Sequence, residues 1–222
     1  MTNVQAEARD GVQVIRIDDG KVNALGPAVV HDVHGALDEA TDAGHAVLLC
    51  GRSGFLSAGF DLKVMRGDPD ERARLVAEGR RLLLRLFAHE RPVVVACTGN
   101  AIAAGAGLLM AADWRVGARG EFKLGFNEVA IGHVLSAATI ELARYRMTPA
   151  GLEGVVRGDL CDPEQAVVVG LLDELADPAE VEAVAQAEAA RLAALAPEAY
   201  GTVKGHARRP AQDAIDRVIA EE

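Results

Sequence analysis

Two short, unbroken apolar runs constrain this chain more than anything else in it: Ala46–Cys50 (AVLLC) and the PVVVAC run at 92–97. A strand with one wetted face alternates apolar and polar residues. A strand apolar at every position is covered on both faces, as in a parallel sheet between helices. The preceding segment fits that reading. Residues 11–17 (GVQVIRI) alternate as a half-buried strand does, and Asp18-Asp19-Gly20 supplies turn chemistry. Pro27 opens a helix whose apolar positions Val29, Val30, Val33, Leu37 and Ala40 recur at helical spacing up to Gly44. That is a β-α-β start. A helix follows over 70–90 with Leu75, Leu82, Leu83 and Leu86 on one side, then the 92–97 strand and a small-residue run over 101–112. A short strand at 113–116, a segment at 122–132 and helices from Ser136 onward, interrupted near 171–175, complete the reading. The expected fold class is α/β. Its core spans 1–175, and 176–222 is a helical region of the same domain or a small subdomain. A chain of 222 residues is long enough for one such domain.

Composition closes off several classes of function. The net charge of −10 leaves no basic stripe to displace counterions, so no nucleic acid is expected as a partner. Aromatics are only 4 %, so Ala, Val, Leu and Gly must build the core. Cys50, Cys97 and Cys161 form no CxxC, and the first two lie in apolar runs, as reduced core thiols do. The N-terminal MTNVQAEARDG has no apolar segment of the secretory kind, and the longest apolar stretch, 101–112, is too short to span a bilayer. A cytoplasmic protein with no membrane partner is expected. His31 and His34 share a helix face but gain no third ligand, so no metal is expected. The densest basic stretch, 204–209, reads as a solvated helix face, or else as a contact to a phosphorylated ligand.

Three segments can carry chemistry. Ser57-Ala58-Gly59-Phe60-Asp61-Leu62-Lys63 follows a buried strand, and its small residues allow a ligand close to the backbone. Gly99-Asn100-Ala101-Ile102-Ala103-Ala104-Gly105-Ala106-Gly107 follows the next strand and leads into a helix, whose free N–H groups favour negative charge. A dinucleotide-binding loop would need a further glycine after Gly107, and a P-loop would need Gly-Lys-Ser/Thr; neither is present. In the third segment, Phe126 to His133, Glu128 is a carboxylate among apolar neighbours. Burial would raise its pKa toward that of a proton shuttle.

In order and spacing, these segments resemble the crotonase superfamily, the enoyl-CoA hydratase/isomerase family. The resemblance rests on Ala58-Gly59-Phe60-Asp61-Leu62-Lys63, on the Pro92 to Asp113 stretch with its glycine-rich turn, on Phe122 to Gly132 with Glu128, and on the early Asn23-Ala24-Leu25. It covers roughly residues 10–205. It implies a spiral of β-β-α turns with a C-terminal helical trimerisation region, hence a homotrimer or hexamer. The Ala-rich helices after Pro178 would supply the flat faces. It implies an acyl-CoA thioester as substrate, with coenzyme A arriving as part of it and no separate cofactor. The backbone N–H groups of Phe60 and Ala104 would form an oxyanion hole. Ala24, Ala58, Asp61, Leu62 and Lys63 would hold coenzyme A, and Glu128 would be the acid/base.

One departure bears on the reaction. Hydratases of the family carry a second glutamate three residues past the second oxyanion donor, where this chain has Gly107. Adding water takes two carboxylates; moving a double bond takes one base that removes a proton from C2 and returns it at C4. Isomerases of the family resemble this one-glutamate pattern. The expectation is therefore a Δ3,Δ2-enoyl-CoA isomerase rather than a full hydratase, with His133 as a possible auxiliary group. A non-catalytic acyl-CoA-binding protein, or another reaction through the same enolate, stands as the alternative.

Overall fold

The computed structural model describes residues 3–221; Met1, Thr2 and Glu222, at the outer limits of the two expected regions, lie outside the described residues. In chain order, the first elements are strands β1 (Val4–Arg9) and β2 (Val12–Ile17), helix α1 (Pro27–Ala43), strands β3 (Ala46–Cys50) and β4 (Gly54–Ser57), and helices α2 (Leu62–Met65) and α3 (Pro69–Ala88). Next come β5 (Val93–Cys97), β6 (Gly99–Ile102), α4 (Ala104–Ala111), β7 (Trp114–Ala118), β8 (Leu124–Gly125) and a single 3-10 turn, Val129–Ile131. The chain closes with α5 (Ala137–Arg146), α6 (Pro149–Arg157), β9 (Leu160–Cys161), α7 (Pro163–Val169), β10 (Glu174–Ala176), α8 (Val181–Ala193) and α9 (Pro197–Glu221).

The strands form two sheets, one ordered β1-β2-β3-β5-β7-β10 and the other β4-β6-β8-β9. The pairs β2-β3, β3-β5, β5-β7 and β7-β10 are parallel. The chain alternates between the sheets: β3 then β4, β5 then β6, β7 then β8, each pair followed by helix. This is a spiral of β-β-α turns in an α/β fold. The double-faced apolar runs explain the larger sheet. One face of it, with Ile15, Val47, Leu49, Val93 and Val95, packs under α1, α3 and α4. The other, with Val14, Leu48, Val94 and Ala96, packs under Val181, Ala185 and Ala189 of α8.

The fold adds to the linear pattern in several places and corrects it in one. The polar N-terminal segment is a strand: Asp10 and Gly11, at φ 52° and 75°, form a tight turn that pairs β1 antiparallel with β2. Strand β4 follows closely on β3, and the small-residue run expected over 101–112 turns helical only at Ala104, because 99–102 pairs as β6. The apolar face of α8, with Val181, Ala185 and Ala189, packs on the larger sheet of its own chain. Finally, the 204–209 stretch is a solvated face only in part: His206 and Arg209 are exposed, but two of its basic residues are not. Lys204 and Arg208 are 9 % and 3 % exposed and turn inward onto Asp113. Among the described residues, no helix is long and apolar enough to cross a membrane.

Candidate active site

The site is assembled by three parallel strands of the small sheet. β4 pairs parallel with β6, with a register shift between Phe55 and Ser57, and β6 parallel with β8, so the chain leaves all three at the same end. From those ends emerge Ala58-Gly59-Phe60, Ala103-Ala104 and Phe126-Asn127-Glu128.

The first segment is pinned by the turn at 19–25. Asn23 is fully buried, and its side-chain amide donates to Ile17 O at 2.8 Å, Phe55 O at 3.1 Å and Leu56 O at 3.2 Å. Its own carbonyl accepts from Ser57 Oγ at 2.7 Å, and Ser57 Oγ accepts from Gly59 N. Burial works to raise the Asp19 carboxyl, but N–H donors from Asn23, Ala24 and Lys21 outweigh it and hold the pKa low. Leu25 then bridges the segment: its N–H donates to Gly59 O and its carbonyl accepts from Asp61 N. In such a parallel bridge the intervening Phe60 N–H faces the opposite way. Ala24 and Ala58 sit beside it, half-buried. Asp61 accepts from Lys63 N at 2.8 Å, capping α2, and the Leu62 and Lys63 side chains are exposed.

The second segment carries strain. Ala103 has φ 56° and ψ −124°, a conformation L-residues rarely adopt, at a cost of order 1–3 kcal/mol. Its N–H donates to Gly125 O at 2.9 Å, and its carbonyl accepts from Gly107 N at 3.1 Å. Ala104 therefore opens α4 as the first helical residue, where an N–H has no partner within the helix. Gly59, at φ 93°, lies against this corner; a Cβ built on it would stand 3.4 Å from Ala104 N and 3.0 Å from Ala103 Cβ. Among the described residues, neither the Phe60 nor the Ala104 N–H is donated to a backbone acceptor.

The third segment delivers Glu128. Its side chain is partly buried, with Oε2 sealed from solvent and no hydrogen-bond partner among the described residues. Burial pushes its carboxyl pKa up, partly offset by its own backbone N–H. Its carbonyl accepts from His133 N at 2.8 Å, but the His133 side chain is exposed. The two residues thus meet through the backbone.

Helix α3 covers the site. Leu75, Gly79 and Leu83 share one stripe at four-residue spacing. A Cβ on Gly79 would fall 2.3 Å from Phe60 Cε1, so only glycine leaves room for that ring. A Cβ on Gly107 would fall 2.8 Å from Leu83 Cδ1. The place where a second carboxylate would start is filled by Leu83.

A protein-family model described as enoyl-CoA hydratase/isomerase matches residues 7–222. The chain belongs to the enoyl-CoA hydratase/isomerase family. A putative enoyl-CoA hydratase of Thermus thermophilus is 32 % identical over 207 residues, spanning 90 % of this chain and 81 % of that protein. A solved member of the family from Pseudomonas syringae superposes with a TM-score of 0.95 at 38 % identity, over 99 % of this chain and 96 % of the other. The apo structure of the Mycobacterium tuberculosis enoyl-CoA isomerase gives 0.92 at 34 % identity, over 100 % and 99 %. Hydratase and isomerase names thus both occur among close relatives, and family membership alone does not choose between them.

Sequence reasoning does not single out Asn23, Ser57, Ala103 or Leu83 for these roles. The Asn23-Ala24-Leu25 turn is the available signal for the first. For Ala103 and Leu83 there is none, since one is an ordinary alanine and the other an ordinary helix leucine. His34, considered for a metal, faces Arg85 Nη1 at 2.9 Å and Glu78 O at 3.4 Å, while His31 is exposed.

Proposed function

We propose that this protein is a Δ3,Δ2-enoyl-CoA isomerase working through one glutamate. The observation that carries the proposal is Leu83 packed over the side-chain-less Gly107, together with the buried, unpartnered Oε2 of Glu128 on the third of the three segments that leave the small sheet at one end. The thioester carbonyl of a 3-enoyl-CoA accepts from the Phe60 and Ala104 N–H groups. The Glu128 carboxylate takes a proton from C2. The released electron pair delocalises onto the carbonyl oxygen as an enolate, and the two preorganised donors stabilise its charge by several kcal/mol. The Glu128 carboxyl then returns the proton at C4, the double bond moves to C2–C3, and the carboxylate is regenerated. No water enters. The unpartnered Oε2 suits this shuttle, because an orphaned carboxylate oxygen is a better base than one tied down by donors.

Coenzyme A enters as part of the substrate. In this reading the backbone near Ala24 and Ala58 borders the thioester, and Lys63 offers an exposed ammonium to a phosphate beyond the Asp61 cap. A homotrimer or hexamer is part of the proposal, since Val129, Ile131 and Val134 are 49 %, 56 % and 94 % exposed beside the site and need cover. Light scattering on purified protein reads that state directly.

The deciding assay compares turnover of 3-enoyl-CoA and 2-enoyl-CoA of matched length by wild type and Glu128→Gln. Double-bond migration without hydration, lost in the variant, supports the isomerase. Efficient hydration of the 2-enoyl thioester by wild type overturns it. Binding of both substrates without turnover makes the protein an acyl-CoA binder or an enzyme of another enolate reaction.

A further inference from the structure

A second chemical environment lies away from the acyl site, at the N-terminal end of β7, under α5 and α9. A cavity of about 560 Å³ opens there. Its floor is charged. Asp113 accepts from Lys204 Nζ and from Arg208 Nη2, both at 2.6 Å, and from the Val93 N–H at 2.7 Å. Lys204 also donates to Arg91 O at 3.2 Å. Arg208 Nη1 and Nη2 also donate to the carbonyls of Phe87, Ala111 and Ala112. Both cations are therefore satisfied, and together they exceed the one carboxylate by one charge.

Arg146 also lines the cavity and adds a second unit of excess positive charge. Its Nε reaches Met110 O at 3.3 Å, but its Nη2 is buried with no acceptor among the described residues. A buried guanidinium nitrogen left unbonded costs free energy that an incoming acceptor recovers. Burial, with Arg115 and Arg208 nearby, lowers the Arg146 pKa to about 10. Burial likewise takes Lys204 down to about 8, though Asp113 opposes it. The walls are mostly aliphatic, from Leu195, Ala196, Ala199, Val203 and Ala207, with Tyr145 and Tyr200 beside them and Tyr200 bonded to Asp113.

We infer that this cavity binds a monocarboxylate with an aliphatic tail. The head group is a single anion because one buried donor, Arg146 Nη2, lacks an acceptor among the described residues, over a floor with excess positive charge. The tail is aliphatic because the walls are. The volume is in the range of small-ligand sites, and a carboxylate paired with a desolvated guanidinium makes the stronger, charge-assisted kind of hydrogen bond.

The test is calorimetric titration of the full-length protein with octanoate and, separately, with octan-1-ol, for wild type, Arg146→Met and Ala199→Phe. Octanoate is expected to bind wild type and to lose at least tenfold in affinity in each variant, with octan-1-ol binding far more weakly than octanoate. Ala199 is exposed, so its replacement blocks the cavity without touching the core, and it carries the test if Arg146→Met fails to fold. The inference is overturned if octanoate does not bind wild type, as when a second copy of the chain closes the groove. Equal octanoate affinity in Ala199→Phe and wild type overturns it, and so does octan-1-ol binding as tightly as octanoate.

Discussion

Leu83 and Gly107 are complementary: the leucine occupies the space a side chain at 107 would enter, its Cδ1 being 2.8 Å from where that Cβ would lie. The two residues come from different helices, α3 and α4, so the room at position 107 is set by a packing contact rather than by one position. Gly107→Glu alone forces Leu83 aside, and overpacking of this kind costs about 1–3 kcal/mol. Combined with Leu83→Ala, the glutamate gains room. Thermal melts should show the double variant more stable than the sum of the single losses, and product analysis should show hydration of 2-enoyl-CoA rising relative to isomerisation. Additive losses would mean that the contact does not couple the two positions.

Glu128 links activity to pH. Its pKa is raised in the folded protein, so the folded state holds the proton to higher pH than the unfolded chain does. Ionisation therefore weakens the fold as pH rises through the range between the ordinary carboxylate value and the raised one. Glu128→Gln should be at least as stable as wild type at neutral pH, with the difference shrinking in acid. Isomerase turnover, which needs the carboxylate, should rise over the same interval. Melts and rate profiles spanning mildly acidic to neutral pH check both directions.

The strained corner at Ala103 can be tested without altering any side-chain chemistry. Ala103→Gly removes the positive-φ penalty and should leave stability unchanged or raised by up to about 1 kcal/mol, with donor geometry and turnover largely kept. Ala103→Val places a β-branched residue there and should cost both. Gly59→Ala meets Ala103 Cβ at 3.0 Å and Ile102 O at 3.1 Å while needing φ 93° itself. It should separate the two N–H groups and lower kcat far more than it raises KM, since the enolate charge is what they hold.

Asp113 is the counter-charge for two buried cations. Asp113→Asn leaves Lys204 and Arg208 without it and should destabilise the fold by about 3–5 kcal/mol. Chemical denaturation measures this directly; a loss under about 1 kcal/mol would show that backbone carbonyls alone satisfy the pair.

Part of this molecule is legible in its amino-acid sequence. The apolar runs that form β3 and β5, the helix opened by Pro27 and ended by Gly44, and the carboxylate of Glu128 among apolar residues are local patterns. Periodicity and turn chemistry act over a few residues, so a linear reading recovers them. The small sheet escapes such a reading because β4, β6 and β8, two to four residues each, are too short to show a period. They exist because neighbouring backbones, 20 or more positions away, complete their hydrogen bonds. Asp10-Gly11 is a readable hairpin signal, and Val4, Ala6 and Ala8 alternate with polar residues, but at this sheet edge only Val4 of β1 is buried. Lys204 and Arg208 read as solvated because the residue that draws them inward, Asp113, is 91 and 95 positions away. The linear pattern is enough for the layers, the family resemblance and the residue types on hand. Which backbone N–H groups are left without a backbone acceptor, that Leu83 packs over Gly107, and which charges are buried come from the tertiary fold alone. Each of those depends on what a distant segment places against a residue, and no local pattern carries that information.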